Sequence, residues 1–118
     1  MVKKLIILGS TGSIGTQALE VLEKITLPFE VIALSAGSNI DLFRLQLKKF
    51  SPKYACVNSL EDSKILSQEF PKIKFLFGKQ GLNELAQNED ADLMLVAVSG
   101  KAGLEPTLKA IEKGINIA

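Results

Sequence analysis

Six short runs of β-branched or aliphatic residues alternate with longer stretches whose apolar residues recur every three or four positions, and this alternation most constrains the fold. The expected strands are Lys4 to Leu8, Val31 to Ser35, Tyr54 to Val57, Lys74 to Phe77, Leu93 to Val98 and Ile115 to Ile117. Parallel strands need long crossovers, for which a helix is the usual solution, so the pattern predicts a parallel sheet joined by helices. Three sets of apolar residues are each expected to form one buried helical stripe: Ile14, Ala18, Leu22 and Ile25; Ile40, Phe43, Leu47 and Phe50; Leu104, Leu108 and Ile111. The unbroken run Leu93-Met94-Leu95-Val96-Ala97-Val98 predicts a strand buried on both faces, hence helices on both sides of the sheet. The expected fold class is α/β, a doubly wound, mostly parallel sheet.

Punctuation agrees with these periods. Pro28, Pro52 and Pro71 fall between elements, Pro106 is placed in the first turn of the last helix, and Gly114 is expected to end that helix. The stretch from Ser59 to Asn88 is the least regular, with short helices and a fourth strand suited to a sheet edge. No repeat, low-complexity tract or linker divides the 118 residues, so a single domain is expected.

Composition removes several functions. Lys and Arg number 14 against 13 Asp and Glu, a net charge of +1 that offers no footprint for nucleic acid or an anionic membrane. Two lysines precede an apolar run at the N-terminus, but the run stops at Gly9, too short for a signal peptide, and no segment has the length of a membrane span. A cytoplasmic protein acting on small molecules is expected. The chain has no histidine, so imidazole chemistry is absent, and its single cysteine, Cys56, lies in an apolar run as a buried thiol would.

Directly after the first strand comes Gly9-Ser10-Thr11-Gly12-Ser13-Ile14-Gly15, leading into the first helix. Glycine suits three tasks here: a tight turn, close approach of backbone to a pyrophosphate, and close packing of helix on strand. Free N–H groups at the helix start would face the negative charge. Thr11 and Ser13 add hydroxyls, and Ser13 is also a candidate N-cap. The spacing G-x-x-G-x-x-G carries Ser10 where the commoner loop has its middle glycine. In the context of strand, loop and helix it predicts a Rossmann-type NAD(P)-binding domain. Neither Gly78-Lys79-Gln80 nor Gly100-Lys101-Ala102 has the hydroxyl that a P-loop places on magnesium.

After the second strand an NAD site would place a carboxylate on the ribose 2′-hydroxyl. Here the residues are Ser35-Ala36-Gly37-Ser38-Asn39. Lacking that charge, the turn leaves room for a 2′-phosphate bonded by Ser38 and Asn39, which also suit helix capping; NADP is favoured over NAD. Lys101, after the fifth strand, is more simply a solvated loop lysine than a catalytic group. The scattered carboxylates form no metal-ligand pattern.

At this point the sequence resembles a family. The loop Gly9 to Gly15 matches the glycine loop of 1-deoxy-D-xylulose 5-phosphate reductoisomerases without a change. The segment Val96-Ala97-Val98-Ser99-Gly100-Lys101-Ala102-Gly103-Leu104, followed by Pro106-Thr107-Leu108, looks like that family's segment after the fifth strand. The glycine loop alone would also suit epimerases of the extended short-chain dehydrogenase group or semialdehyde dehydrogenases; the later segment narrows the choice. Other readings of the residues are another NADP-dependent dehydrogenase or epimerase, and a non-catalytic NADP(H)-sensing module. The resemblance implies NADPH contacts from Thr11, Gly12, Ser13, Ile14, Gly37, Ser38 and Asn39, although family members often carry a basic residue where Ser38 stands. It further implies conversion of 1-deoxy-D-xylulose 5-phosphate to 2-C-methyl-D-erythritol 4-phosphate, a step of the non-mevalonate isoprenoid route. By the same resemblance, the divalent metal (Mg or Mn), the substrate phosphate site and the homodimer contacts belong to segments after Ala118. The expectation is an NADPH-binding domain, residues 1–118, truncated before the catalytic and metal-binding part, with no catalytic residue of its own.

Overall fold

The structure is a computed structural model and describes residues 2–118. Strands and helices alternate throughout: β1 (Lys3–Leu8), α1 (Ser13–Lys24), β2 (Phe29–Ser35), α2 (Ile40–Phe50), β3 (Tyr54–Val57), α3 (Leu60–Glu69), β4 (Lys74–Phe77), α4 (Gly78–Ala86), β5 (Leu93–Val96), α5 (Lys101–Glu112) and β6 (Asn116–Ile117). All six expected strands are present. The first two begin earlier than expected, at Lys3 and Phe29, while β5 stops at Val96 and β6 keeps two residues. Every pairing is parallel, in the order β4-β3-β2-β1-β5-β6, so β4 is an edge as anticipated.

From β1 the chain steps outward to β4, then returns to the far side of β1 for β5 and β6. Right-handed crossovers in opposite directions put helices on opposite faces. One core gathers Ile7, Val31, Leu34, Ala55 and Val57 with Leu19 of α1, Phe43 and Leu47 of α2 and Leu66 of α3. The other gathers Ile6, Leu8, Ile32, Ala33 and Met94 with Leu85 and Ala86 of α4 and Ala110 of α5. Successive residues Ile32 and Ala33 face the same core because the register of β1 on β2 jumps after Leu5, from Leu5–Val31 to Ile6–Ala33. This one-residue bulge resets the alternation of β2 just before its functional end.

Three expectations about burial need correction. In α1 the buried residues are Gly15 and Leu19, whereas Ile14 and Ile25 are exposed. In α5 the predicted stripe is reversed: Leu104, Leu108 and Ile111 all face solvent, and Gly103, Pro106 and Ala110 face the sheet. In β5 only Met94 is fully buried; Leu95, on the α1 side, is half-buried. The α2 stripe holds, with Phe43 and Leu47 buried and Ile40 and Phe50 half-buried.

Pro106 lies well inside α5 instead of in its first turn, because the helix already begins at Lys101. Its ring forgoes one backbone bond in exchange for a buried place against the sheet. Gly114 ends α5 as expected: its N–H donates to the Ile111 carbonyl, and the Ile115 N–H reaches the Ala110 carbonyl.

Candidate functional site

The strand order reverses between β1 and β5, and ligands of such sheets bind beyond the carboxyl ends of the strands at that point. A cleft of about 710 Å³ opens there, its walls drawn from the segments following β1, β2, β3, β4 and β5. Gly9 sits at its base with φ +80°, a conformation that L side chains rarely adopt. A Cβ on Gly9 would stand 2.9 Å from the Ala97 carbonyl oxygen and from Val98 Cγ2, so the segment after β5 closes directly over the turn. A Cβ on Gly12 would meet only the Gly9 oxygen at 3.5 Å, which leaves this face of the loop open to a ligand. Gly15 is where the helix crosses the loop, and it has no room for a Cβ. Gly9 makes the tight turn and Gly15 the close crossing, two of the tasks the spacing predicts.

The helix itself begins at Ser13. Gly12 is the N-cap and no side chain caps the first turn, so Ser13 is the first helical residue and not the cap. The Thr16 N–H donates to the Gly12 carbonyl, which leaves the N–H groups of Ser13, Ile14 and Gly15 with no carbonyl one turn back. These donors, with the positive end of the helix dipole, are what a phosphate group requires.

Of the seven residues singled out from the sequence, Thr11, Gly12, Gly37, Ser38 and Asn39 line the same cleft. Ser13 and Ile14 do not line it; they follow Gly12 on the first turn, with exposed side chains. The two loops are tied together where the Gly37 N–H donates to Thr11 Oγ1 at 2.9 Å, a bond that leaves the Thr11 hydroxyl hydrogen free to donate. Asn39 caps α2 by accepting from the Leu42 N–H at 3.1 Å, and Ser38 is exposed. No carboxylate stands between Ser35 and Asn39; the first acid beyond, Asp41, is paired with Arg44 at 2.8 Å.

The opposite wall was not legible as part of the site. Lys79, the second residue of α4, pairs with Glu105 of α5 at 3.4 Å, while Asn83 Nδ2 donates to Glu105 at 2.9 Å. All three residues line the cleft, and Asn83 Oδ1 is buried without a partner among the described residues. The available signal was the pair Gly78-Lys79 directly after a strand, which fails as a P-loop but still marks a strand end facing the cleft. Lys101 lies on the rim as the first residue of α5, exposed and unpaired among the described residues. Its placement agrees with a solvated lysine. Among the described residues no three His, Cys, Asp or Glu side chains gather as a metal site.

Cys56 also lines the cleft but is 3% exposed, and burial, followed by the nearby Glu84 charge, pushes its thiol up to about 12. It is the inert, buried thiol expected. At about pH 8 the reactive thiolate would be roughly one part in ten thousand, so iodoacetamide is expected to leave Cys56 unmodified in the native chain and to alkylate it readily in denaturant. Because the folded state holds this proton more tightly, the associated stability is complete below the ordinary thiol value of 9.0 and is lost as pH rises towards 12.

The family model described as 1-deoxy-D-xylulose 5-phosphate reductoisomerase matches residues 5–118. The chain belongs to that family. The enzyme of this name from Listeria monocytogenes serotype 4b (strain F2365) is 47% identical over 116 residues, covering 98% of this chain and 30% of the relative. That from Shouchella clausii (strain KSM-K16) is 44% identical over 119 residues, again covering 98% of this chain. Among solved structures, the reductoisomerase from Zymomonas mobilis in complex with NADPH superposes with a TM-score of 0.89 at 31% identity, covering 100% of this chain and 31% of that one. A reductoisomerase in complex with NADPH, fosmidomycin and magnesium gives 0.91 at 32% identity, over 98% of this chain and 29% of the other. This member of the reductoisomerase family thus spans about 30% of the length of the curated relatives it matches.

Proposed function

We propose that the chain is the NADPH-binding part of a reductoisomerase that converts 1-deoxy-D-xylulose 5-phosphate to 2-C-methyl-D-erythritol 4-phosphate in the cytoplasm. The observation that carries this reading is the glycine loop at the strand-order switch, its Gly12 face open and its helix-start donors unspent, in a chain of this family.

The cleft suits the cofactor in volume and in donors. The N–H groups of Ser13 and Ile14 would hold the pyrophosphate where it passes the open face of Gly12, with the Thr11 hydroxyl as a further donor. Gly37, Ser38 and Asn39 would take the 2′-phosphate, where no carboxylate repels it and the Asn39 amide nitrogen remains available beyond its capping oxygen. When bound, NADPH supplies the hydride for reduction. The residues of this chain would bind and orient it. The described residues do not suit a divalent metal. Magnesium or manganese, the substrate and the homodimer contacts we assign to the longer family protein, whose curated members this chain matches over about 30% of their length, with residues 1–118 as its cofactor domain.

Calorimetric titration with NADPH and with NADH tests the assignment. NADPH is expected to bind more tightly, and Ser38→Asp, which sets a negative charge against the 2′-phosphate, to weaken NADPH by about tenfold while changing NADH little. Equal binding of the two cofactors, unaffected by Ser38→Asp, would remove the assignment.

A further inference from the structure

Ser10 stands where the commoner glycine loop has its middle glycine, and its side chain takes no part in the binding described above. It is fully buried, turned away from the cleft towards α2. There the Ser10 hydroxyl donates to Gln46 Oε1 at 2.7 Å, Ser10 Oγ also lies 3.2 Å from the Ser35 carbonyl oxygen, and Gln46 Nε2 donates to the Ser10 carbonyl at 2.8 Å. Gln46 is itself 7% exposed. A buried amide is costly unless both its ends are satisfied, and here one residue satisfies both. We propose that Gln46 is a positioning residue for the cofactor loop, acting through Ser10. The proposal rests on the cofactor reading of the cleft given above.

Geometry makes the consequence specific. A trans peptide directs its C=O and N–H in opposite directions, so holding the Ser10 carbonyl on Gln46 points the Thr11 N–H away from α2. Thr11 lines the cleft, and its N–H is thereby aimed as a phosphate donor. The rest of the loop is fastened on the same side, by the Ser10 N–H to the Ser35 carbonyl at 2.8 Å and the Gly9 N–H to Ser35 Oγ at 2.8 Å. A glycine loop of the commoner type gains its approach by having no side chain at this position. This one turns the side chain inward and uses it as an anchor.

Two substitutions test the clamp. Ser10→Gly restores the commoner motif yet is expected to weaken NADPH about tenfold, since it leaves the buried Gln46 oxygen without its donor; unchanged or tighter binding would overturn the proposal. Gln46→Glu separates positioning from bulk. Protonated, the carboxyl can donate to the Ser10 carbonyl and accept from the Ser10 hydroxyl as the amide does; ionised, it sets a negative oxygen against that carbonyl. Every charged side chain on α1, α2 and α3 is exposed or half-buried, including the pairs Lys49–Glu23 and Arg44–Glu69, so burial governs this carboxyl and raises its pKa. Affinity relative to the unsubstituted chain, taken at each pH so that the cofactor's own titration cancels, is expected to be near one at about pH 5.5 and to fall about tenfold by about pH 8. A ratio that does not change with pH would count against Gln46 as the positioning group. If the unsubstituted chain binds neither cofactor, the reading of the cleft fails and the clamp is judged separately by hydrogen exchange of residues 9–13 in the free chain. Faster exchange in Ser10→Gly supports it, and unchanged exchange refutes it.

Discussion

Gly15→Ala is expected to abolish measurable NADPH binding and to cost about 3 kcal/mol of stability, read by titration and by urea unfolding. The added methyl would overlap the Gly9 carbonyl oxygen and stand 2.7 Å from Ser10 Cα. Both are backbone atoms of the turn, so no side chain can rotate aside. Either α1 moves off the sheet, exposing Leu19, or the loop is pushed towards the space that the pyrophosphate needs. Both responses damage the site, and the first also damages the core. Binding within a few-fold of the unsubstituted chain would mean that the helix start is not where the phosphates sit.

A second large effect is expected in the core beneath the site. Phe43→Ala should cost about 3–5 kcal/mol, because the ring is fully buried between α2 and the sheet and its loss leaves a cavity. The matching change Leu108→Ala on α5 should shift stability by no more than about 0.5 kcal/mol, since Leu108 is 51% exposed. Comparable losses at the two positions in urea unfolding would contradict the packing described.

That comparison also marks how far the sequence could be read. Phe43, Leu47 and Phe50 have the same spacing as Leu104, Leu108 and Ile111, yet the first set packs inward and the second faces solvent. Periodicity identifies a stripe without saying which side the sheet takes. In α5 distance decides it: a Cβ on Gly103 would lie 2.7 Å from the Val98 carbonyl oxygen and 3.2 Å from Val96 Cγ1, so the helix rides too close to β5 and the segment after it for leucine. Its inward face is the small-residue set Gly103, Pro106 and Ala110, at spacings of three and four, a signal masked by the larger residues beside it. The strands were legible because β-branched runs bounded by Gly and Pro admit few alternatives, and the glycine loop because each glycine answers a different steric demand. The α4 and α5 wall of the cleft, and the Gln46 anchor, were not. They depend on residues distant in sequence meeting at one point, as Ser10 and Gln46 do across 36 positions.

The pairing of β1 with β5 joins Leu5 to Leu93 and Leu8 to Val96, residues 88 apart, whereas β1, β2 and β3 each pair with the next strand in the chain. Loop closure over so long a span carries the larger entropic cost, so the β1 to β4 half is expected to zip locally before the seam with β5 closes. The cleft straddles that seam, with Gly9 on one side and Ala97 and Val98 on the other. A chain folded only as far as β4 would lack the side of the cleft that follows β5. A dinucleotide bound across the cleft would therefore act as a latch on that seam.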